Sequence, residues 1–534
     1  MTDDRATLSV DGQPVPVPDD GSSLLDVLRD RLGIRSAKDG CSPQGQCGCC
    51  TVLVDGAPRV ACVTPARRMA GRSITTLAGL EPAHRERWAD VFCSVGASQC
   101  GFCTPGIIVR LEALATKATP AGDPAIARSL QSHLCRCTGW RTILEAYDAG
   151  VSSDDGSDDG SDDGSVGGRL IRPDRDLAAA ARRATVEGRS PQRVSPSVAL
   201  GDGGFADDTA PDGALVAVPD RTGGWAVGES VAEARSRAGR VQGRRTTVEA
   251  RPPLEVPEGA WDVSLRTSWV EPAYLETDAA WCRPGGEPAS PLANGGAFGG
   301  KQASPAPAAA RRLADEHGRP VRVLLSREDT VRLGPKRPPI AAGLRLDGTG
   351  VLRVVRTPGF AEAVGSVAPG LTVEEVDVSG PPTSSDLRGA GWTEAAVLLA
   401  ACSRPAGPVT VTSPEGAVAT AGLLFDGVHV SVSCGDPLDE VVLRSYCIGA
   451  AHMAMSWVTS EGLAVDGSGA VQDLTVRSFG VLRAIETPSI EVVIERATAA
   501  PVNGSDAVFA AVAAAVWIDQ GCPPAWPTGR LPCG

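Results

Sequence analysis

The chain opens on alternation. Thr7-Leu8-Ser9-Val10, Asp11-Gly12 and Val15-Pro16-Val17 place apolar residues at every second position about a two-residue turn, which predicts a β-hairpin. Ser22 to Arg29 shifts to helical spacing behind a serine cap. A second alternating pair, Thr51 to Val54 and Arg59 to Cys62 about Asp55-Gly56, closes a small sheet within residues 1–80. From 81 to 150 the period becomes helical, over Arg85 to Ser98, Thr104 to Lys117, Pro124 to His133 and Arg141 to Ala149. Four short helices predict a small bundle.

Residues 151–168 repeat Asp-Asp-Gly-Ser three times with almost nothing apolar to bury, so they predict an extended tether. From 169 to 534 the patterns mix. Val321 to Leu325 and Val428 to Val432 read as strands, and Ala306 to His317, Glu394 to Ala401, Ser445 to Val458 and Ala507 to Ile518 as helices. The body is expected to be α+β, and 534 residues imply two to four domains.

Charge and cysteine content narrow the class. A formal charge of −13 argues against nucleic acid as a general partner. Met1 to Arg5 lacks the basic and apolar regions of a secretory signal, and Ala507 to Ile518 is too short for a membrane span. A soluble cytoplasmic protein is expected. In that reducing setting the 16 cysteines favour metal or cluster ligation over structural disulfides.

Cys41, Cys47, Cys50 and Cys62 are spaced x5, x2 and x11, close to the plant-type ferredoxin loop. A zinc knuckle is the other reading, and Cys49 reads as a spectator. Cys100-x2-Cys103 and Cys135-x-Cys137 stand 31 residues apart. Four soft thiolates at one point suit zinc, an iron–sulfur cluster or two disulfides. Cys103 and Cys137 are each expected just before a helix start, where the dipole favours anionic sulfur. His133 reads as a surface or capping residue.

The two cysteine sets, in this order, resemble the iron–sulfur part of the xanthine dehydrogenase and aldehyde oxidoreductase family of molybdenum hydroxylases. That resemblance implies a β-grasp ferredoxin-like domain and a four-helix-bundle domain, each holding a 2Fe-2S cluster. It implies Cys41, Cys47, Cys50 and Cys62 as one ligand set and Cys100, Cys103, Cys135 and Cys137 as the other. Gln99, beside Cys100, resembles the glutamine that hydrogen-bonds a molybdopterin in the family, next to the cluster that Cys137 would ligate. The first spacing departs by one residue, x5 for x4.

In the body, Asn294-Gly295-Gly296-Ala297-Phe298-Gly299-Gly300-Lys301 is a loop whose amides suit an anionic ligand, with Lys301 adding charge. It resembles the family's loop beside molybdenum, which implies Gly296, Phe298, Gly299 and Gly300 as cofactor-binding. Leu387-Arg388-Gly389-Ala390-Gly391 resembles a substrate-side arginine loop. Asn503-Gly504-Ser505-Asp506 stands where the family carries its glutamate base, so Asp506 is the candidate base, one methylene shorter; helix capping is its other reading. The body, about 365 residues, is roughly half as long as the resemblance implies.

The resemblance thus implies an oxidoreductase acting on a small heterocycle or aldehyde. Electrons would pass from a molybdopterin centre through two 2Fe-2S clusters to an external acceptor, such as a separate FAD-binding subunit. The alternatives are a non-catalytic electron-transfer subunit with a degenerate body and a zinc-stabilised interaction protein.

Overall fold

The computed structural model describes residues 7–117, 122–152, 175–239, 248–289 and 296–530. The tether expected at 151–168 lies outside them from residue 153 on, as do Met1 to Arg5, Asn294 and Gly295.

The first hairpin forms as expected, pairing Thr7–Val10 with Gln13–Pro16 so that Leu8 faces Val15. Asp11 and Gly12 take φ of 50° and 81°, the double left-handed turn that matches strand twist. The sheet runs Gln13–Pro16, Thr7–Val10, Ser73–Thr75, Thr51–Val54, Ala57–Val60. Leu8, Val10, Val52 and Ile74 share a buried cluster with Leu24, Val27 and Leu28 of the adjoining helical turns. Ser23 and Asp26 cap those turns reciprocally.

The four helices are Pro82–Ser94, Thr104–Ala115, Asp123–Ser129 and Arg141–Ser152. Trp88 fixes their packing: it is fully buried, donates from Nε1 to Glu112 Oε2 at 2.7 Å, and stacks on Tyr147 with ring centroids 6.3 Å apart. Two expectations are corrected here. Cys103 does cap a helix, but Cys137 stands four residues ahead of Arg141, because Thr138-Gly139-Trp140 turns the chain first. His133 is 2% exposed, not a surface residue. Its ring is wedged between the modules, Nε2 lying 3.2 Å from both Thr51 Oγ1 and the Gly106 carbonyl.

Among the described residues the body holds three sheets. Val321–Leu324 pairs parallel to Leu215–Pro219 and antiparallel to Ala279–Cys282, with helix Ala306–His317 packed against this sheet. A second sheet runs Leu371–Val376, Gly350–Val355, Ile340–Leu344, Val263–Thr267, Ala525–Trp526. The third runs Val409–Thr412, Val418–Leu424, Gly427–Ser433, Ser489–Ile494. Helix Ser505–Asp519 packs on this third sheet and on helix Glu440–Thr459. Its alanine-rich run is buried all round, so that apolar stretch is core. Among the described residues no helix is long and apolar enough to cross a membrane. The architecture is multidomain α+β, as the patterning implied.

Helix Glu440–Thr459 meets the second cysteine loop backbone to backbone. A Cβ on Gly449 would lie 1.7 Å from the Cys137 carbonyl oxygen, so only glycine allows this approach. Gly449→Ala should therefore cost about 2–3 kcal/mol in denaturant unfolding. Gly365→Ala, where the added methyl meets open space, should change stability by no more than about 0.5 kcal/mol.

Candidate functional site

The turn-rich loop after Gly40 gathers the first four cysteines. Cys41 touches Cys47 and Cys62, and Cys62 touches Cys50. The Gln44 and Gln46 amides donate to Cys41 Sγ at 3.2 and 3.5 Å, and the Cys62 amide donates to Cys50 Sγ at 3.4 Å. Such inward N–H groups stabilise anionic sulfur and tune a cluster's potential. The second set forms a similar chain. Cys100 Sγ lies 3.6 Å from Cys137 Sγ, and Cys135 touches both Cys137 and Cys103.

All eight sulfurs are buried. Contacts from Cys47 and Cys62 hold the Cys41 thiol well below its ordinary range, while Cys41 pushes both partners up. Cys135 is held down by Cys103 and Cys137, and those two are pushed up in turn. The thiols of each set oppose one another's ionisation, and a cationic iron–sulfur core removes that conflict. The donor chemistry therefore fits a cluster in each set. Among the described residues no three His, Cys, Asp or Glu side chains gather as a single ion would require, and a two-iron core spreads its four thiolates over two metals.

The two sets are joined through the backbone. Leu134 N–H donates to the Cys47 carbonyl at 3.0 Å, one residue before Cys135. Cys49 is not remote from this seam. Its thiol donates to the same Cys47 carbonyl at 3.8 Å, and against that contact burial pushes the thiol's pKa up.

On the body side, Gln99 Nε2 donates to the Cys137 carbonyl and to Ser445 Oγ, each at 3.0 Å, while its buried Oε1 has no partner among the described residues. Tyr446 comes next. Burial, with Cys137 and Cys100 close by, pushes its phenol well up, and its ring meets Phe298 edge-on at 6.2 Å. Arg388 lies over Phe298 at 3.9 Å from the ring centre, and its amide donates to the Phe298 carbonyl at 3.0 Å.

Both residues are strained. Phe298 has φ 42° and Arg388 φ 39°, a region that non-glycine residues occupy at a cost of about 1–3 kcal/mol each. The Arg388 guanidinium is 3% exposed, and none of its three nitrogens has a hydrogen-bond partner among the described residues. Burial brings its pKa down to about 10 against the pull of Asp506, whose Oδ1 lies 3.9 Å from Nε.

Asp506 does not cap its helix; the Asn503 side chain accepts from the Asp506 amide at 2.9 Å instead. The Asp506 carboxylate pairs with Arg189 at 2.6 Å. It lines a cavity of about 270 Å³ shared with Arg189, Ser385, Trp392 and Asn503. Arg388 lines a smaller one of about 30 Å³ with Phe298, Trp457 and Phe509. Asp506 and Arg388 thus stand side by side, each facing a different cavity.

Lys301 is no free cation for a ligand, because it is buried in an ion pair with Glu276. The loop glycines are demanded by protein contacts: a Cβ on Gly296 would lie 2.7 Å from the Arg136 side chain, and one on Gly299 2.2 Å from the Asp386 carbonyl. Arg136, missed by the sequence reading, ties Cys135–Cys137 to the body through a bidentate pair with Glu461 at 2.5 and 2.8 Å. An arginine inside a Cys-x-Cys run was the available signal.

The first quarter of the chain matches two family models, a 2Fe-2S iron-sulfur cluster binding domain over residues 7–72 and a 2Fe-2S binding domain over 76–148. Two adjoining domains of this kind define a protein that binds two 2Fe-2S clusters. The chain is 39% identical over 125 residues to the nicotinate dehydrogenase small FeS subunit of Eubacterium barkeri, covering 23% of this chain and 79% of that one. It is 41% identical over 133 residues to the aldehyde oxidoreductase of Megalodesulfovibrio gigas, covering 24% of this chain and 14% of that one. The solved aldehyde oxidoreductase of Desulfovibrio gigas matches with a TM-score of 0.69 and 14% identity over 96% of this chain and 97% of that one, a likeness of fold. The chain belongs to the xanthine dehydrogenase and aldehyde oxidoreductase family of molybdenum hydroxylases.

His452, on helix Glu440–Thr459, is fully buried with Nε2 donating to the Leu482 carbonyl at 3.0 Å. Burial brings its pKa down to about 4 from 6.5. Between those values the unfolded chain binds the extra proton, so the stabilising contribution is full above pH 6.5 and is lost as pH falls toward 4. Denaturant titrations from pH 7 to 4.5 should lose up to about 3 kcal/mol from this group, and His452→Gln should flatten that part of the curve.

Proposed function

We propose that the chain is an oxidoreductase of the molybdenum hydroxylase type acting on a small heterocycle or aldehyde. In this reading residues 1–80 and 81–150 are the two cluster domains, 151–168 a linker and 169–534 a shortened molybdopterin-binding region. Cys41, Cys47, Cys50 and Cys62 hold one 2Fe-2S cluster, and Cys100, Cys103, Cys135 and Cys137 the other.

The observation that carries the catalytic half is Arg388: a buried, strained guanidinium over Phe298 with no hydrogen-bond partner among the described residues. A buried donor set of that kind is costly unless a ligand completes it. The unpartnered Gln99 Oε1, beside Cys137, is a second open position of the same kind. Both polar groups suit a large cofactor with acceptors and donors of its own. Gln99, Arg388 and the Gly296–Gly300 loop would hold molybdopterin, which when bound supplies two-electron oxidation with oxygen from water.

The chain's own part is positioning. Arg388 orients anionic or carbonyl oxygen, and Asp506, held in place by Arg189, takes a proton from a group arriving through the 270 Å³ cavity. The Leu134-to-Cys47 hydrogen bond supplies a path between the two cysteine sets. Outward transfer goes to an external acceptor such as a separate flavin subunit, and the cytoplasm is the expected compartment.

A second reading keeps the clusters and drops the chemistry. It is favoured by the 30 Å³ cavity beside Phe298 and Arg388, which has room for about one water. Metal analysis of the purified chain separates the two. The first reading expects about four irons with about one molybdenum per chain; iron without molybdenum leaves the electron carrier alone.

If molybdenum is present, Asp506→Asn should lower turnover by about 10²–10⁴-fold at unchanged iron content. An unimpaired variant removes Asp506 from the mechanism.

A further inference from the structure

Arg327 opens the helix Arg327–Leu333 of the body, where Ser326 and Asp329 cap each other reciprocally and fix its place. It is fully buried. Nη2 donates to the Gly40 carbonyl at 2.7 Å and to the Leu275 carbonyl at 2.8 Å, so one side chain clasps the first cysteine loop to the body. Nε and Nη1 are buried without a hydrogen-bond partner among the described residues. Arg183, equally buried, pairs with Glu187 at 2.9 Å, whereas Arg327 has no ion pair among the described residues. The acids of the adjoining segments are engaged elsewhere: Asp39 with Arg235 at 3.1 Å, Glu271 with Lys336 at 2.9 Å, Glu276 with Lys301 and Glu328 with Arg332. Asp278 accepts from the Tyr274 hydroxyl at 2.9 Å.

Gly40 stands directly against the sulfurs. A Cβ there would lie 3.0 Å from Cys49 Sγ and 3.1 Å from Cys47 Sγ, and Cys41 is the next residue. A buried cation from the body therefore ends on the peptide that leads into the first cysteine set. Reduction of a 2Fe-2S cluster adds one negative charge to its site, and the charge, hydrogen bonds and burial around it set how readily that happens. Away from water such a charge is little screened by solvent or salt.

Resting on the reading that Cys41, Cys47, Cys50 and Cys62 hold a cluster, we propose that Arg327 is a positioning residue for it. Arg327 holds the loop ahead of Cys41, and its unmatched charge favours the reduced form of the cluster bound there. In that step the cluster takes up one electron from the reductant, no bond forms or breaks, and Arg327 keeps its proton. At the second set the buried cation Arg136 is matched by Glu461 at 2.5 and 2.8 Å. The effect of Arg327 therefore falls on one cluster of the two.

The test is a redox titration of the full chain without air, with dithionite and mediator dyes, read by electron paramagnetic resonance. Cys47→Ser identifies the signal of the first set. Arg327→Gln and Arg327→Met, both neutral, should lower the reduction equilibrium constant of that cluster by about tenfold, which is ~59 mV for one electron. The second signal should move by less than about twofold. Arg327→Lys, which keeps the cation, should stay within about threefold of the parent. Equal constants for the parent and the neutral variants, an equal shift of both clusters, or a lysine variant that moves as far as glutamine would each overturn the proposal. Neutral variants without iron beside an iron-loaded lysine variant would support it by a second route; a lysine variant equally empty makes Arg327 a structural clamp and overturns it. A parent chain without visible absorption fails earlier and differently, since it removes the cluster reading on which the proposal rests.

Discussion

Close backbone approach is the constraint on which the rest of this structure depends. The helical module is pressed between the ferredoxin-like sheet and the body, and at both seams main chain meets main chain. On one side Leu134 N–H reaches the Cys47 carbonyl at 3.0 Å, and a Cβ on Gly106 would lie 2.3 Å from the Gly48 carbonyl. On the other, the Cys137 carbonyl rests on Gly449. Side chains there would force the cysteine sets apart.

Buried charge then fixes the module on the body. Arg136 with Glu461, Lys336 with Glu271 and Arg337 with Glu394 are all buried pairs around the Phe298 cavity. Each is weak as net stabilisation, because desolvation offsets attraction, yet removing one partner strands the other at about 3–5 kcal/mol. Such pairs hold the relative placement of Cys135–Cys137 and the glycine loop firmly. Arg388 is the exception among these arginines. Its guanidinium has the burial and the cost without hydrogen bonds among the described residues, in contrast with Arg136 and Arg337.

Much of this was legible in the sequence. The cysteine spacings, the Asp-Gly turns and the strongly periodic helices are local signals, and Ala306–His317 falls where periodicity placed it. What escaped depended on distant partners. His133 sits in a polar-looking stretch, and only the opposing Thr51 and Gly106 explain its burial. Asp506 resembles a cap until its carboxylate is found on Arg189 and its amide on the Asn503 side chain. Lys301 reads as a ligand cation until Glu276 meets it.

The central claim is that two 2Fe-2S centres sit in adjoining domains whose cysteine loops are in backbone contact. Electron paramagnetic resonance of the full chain, reduced by dithionite without air, tests this most directly. The account predicts two distinct 2Fe-2S signals of equal spin count, split at low temperature by interaction across the Leu134–Cys47 seam. A single signal, none, or two that never couple would contradict it.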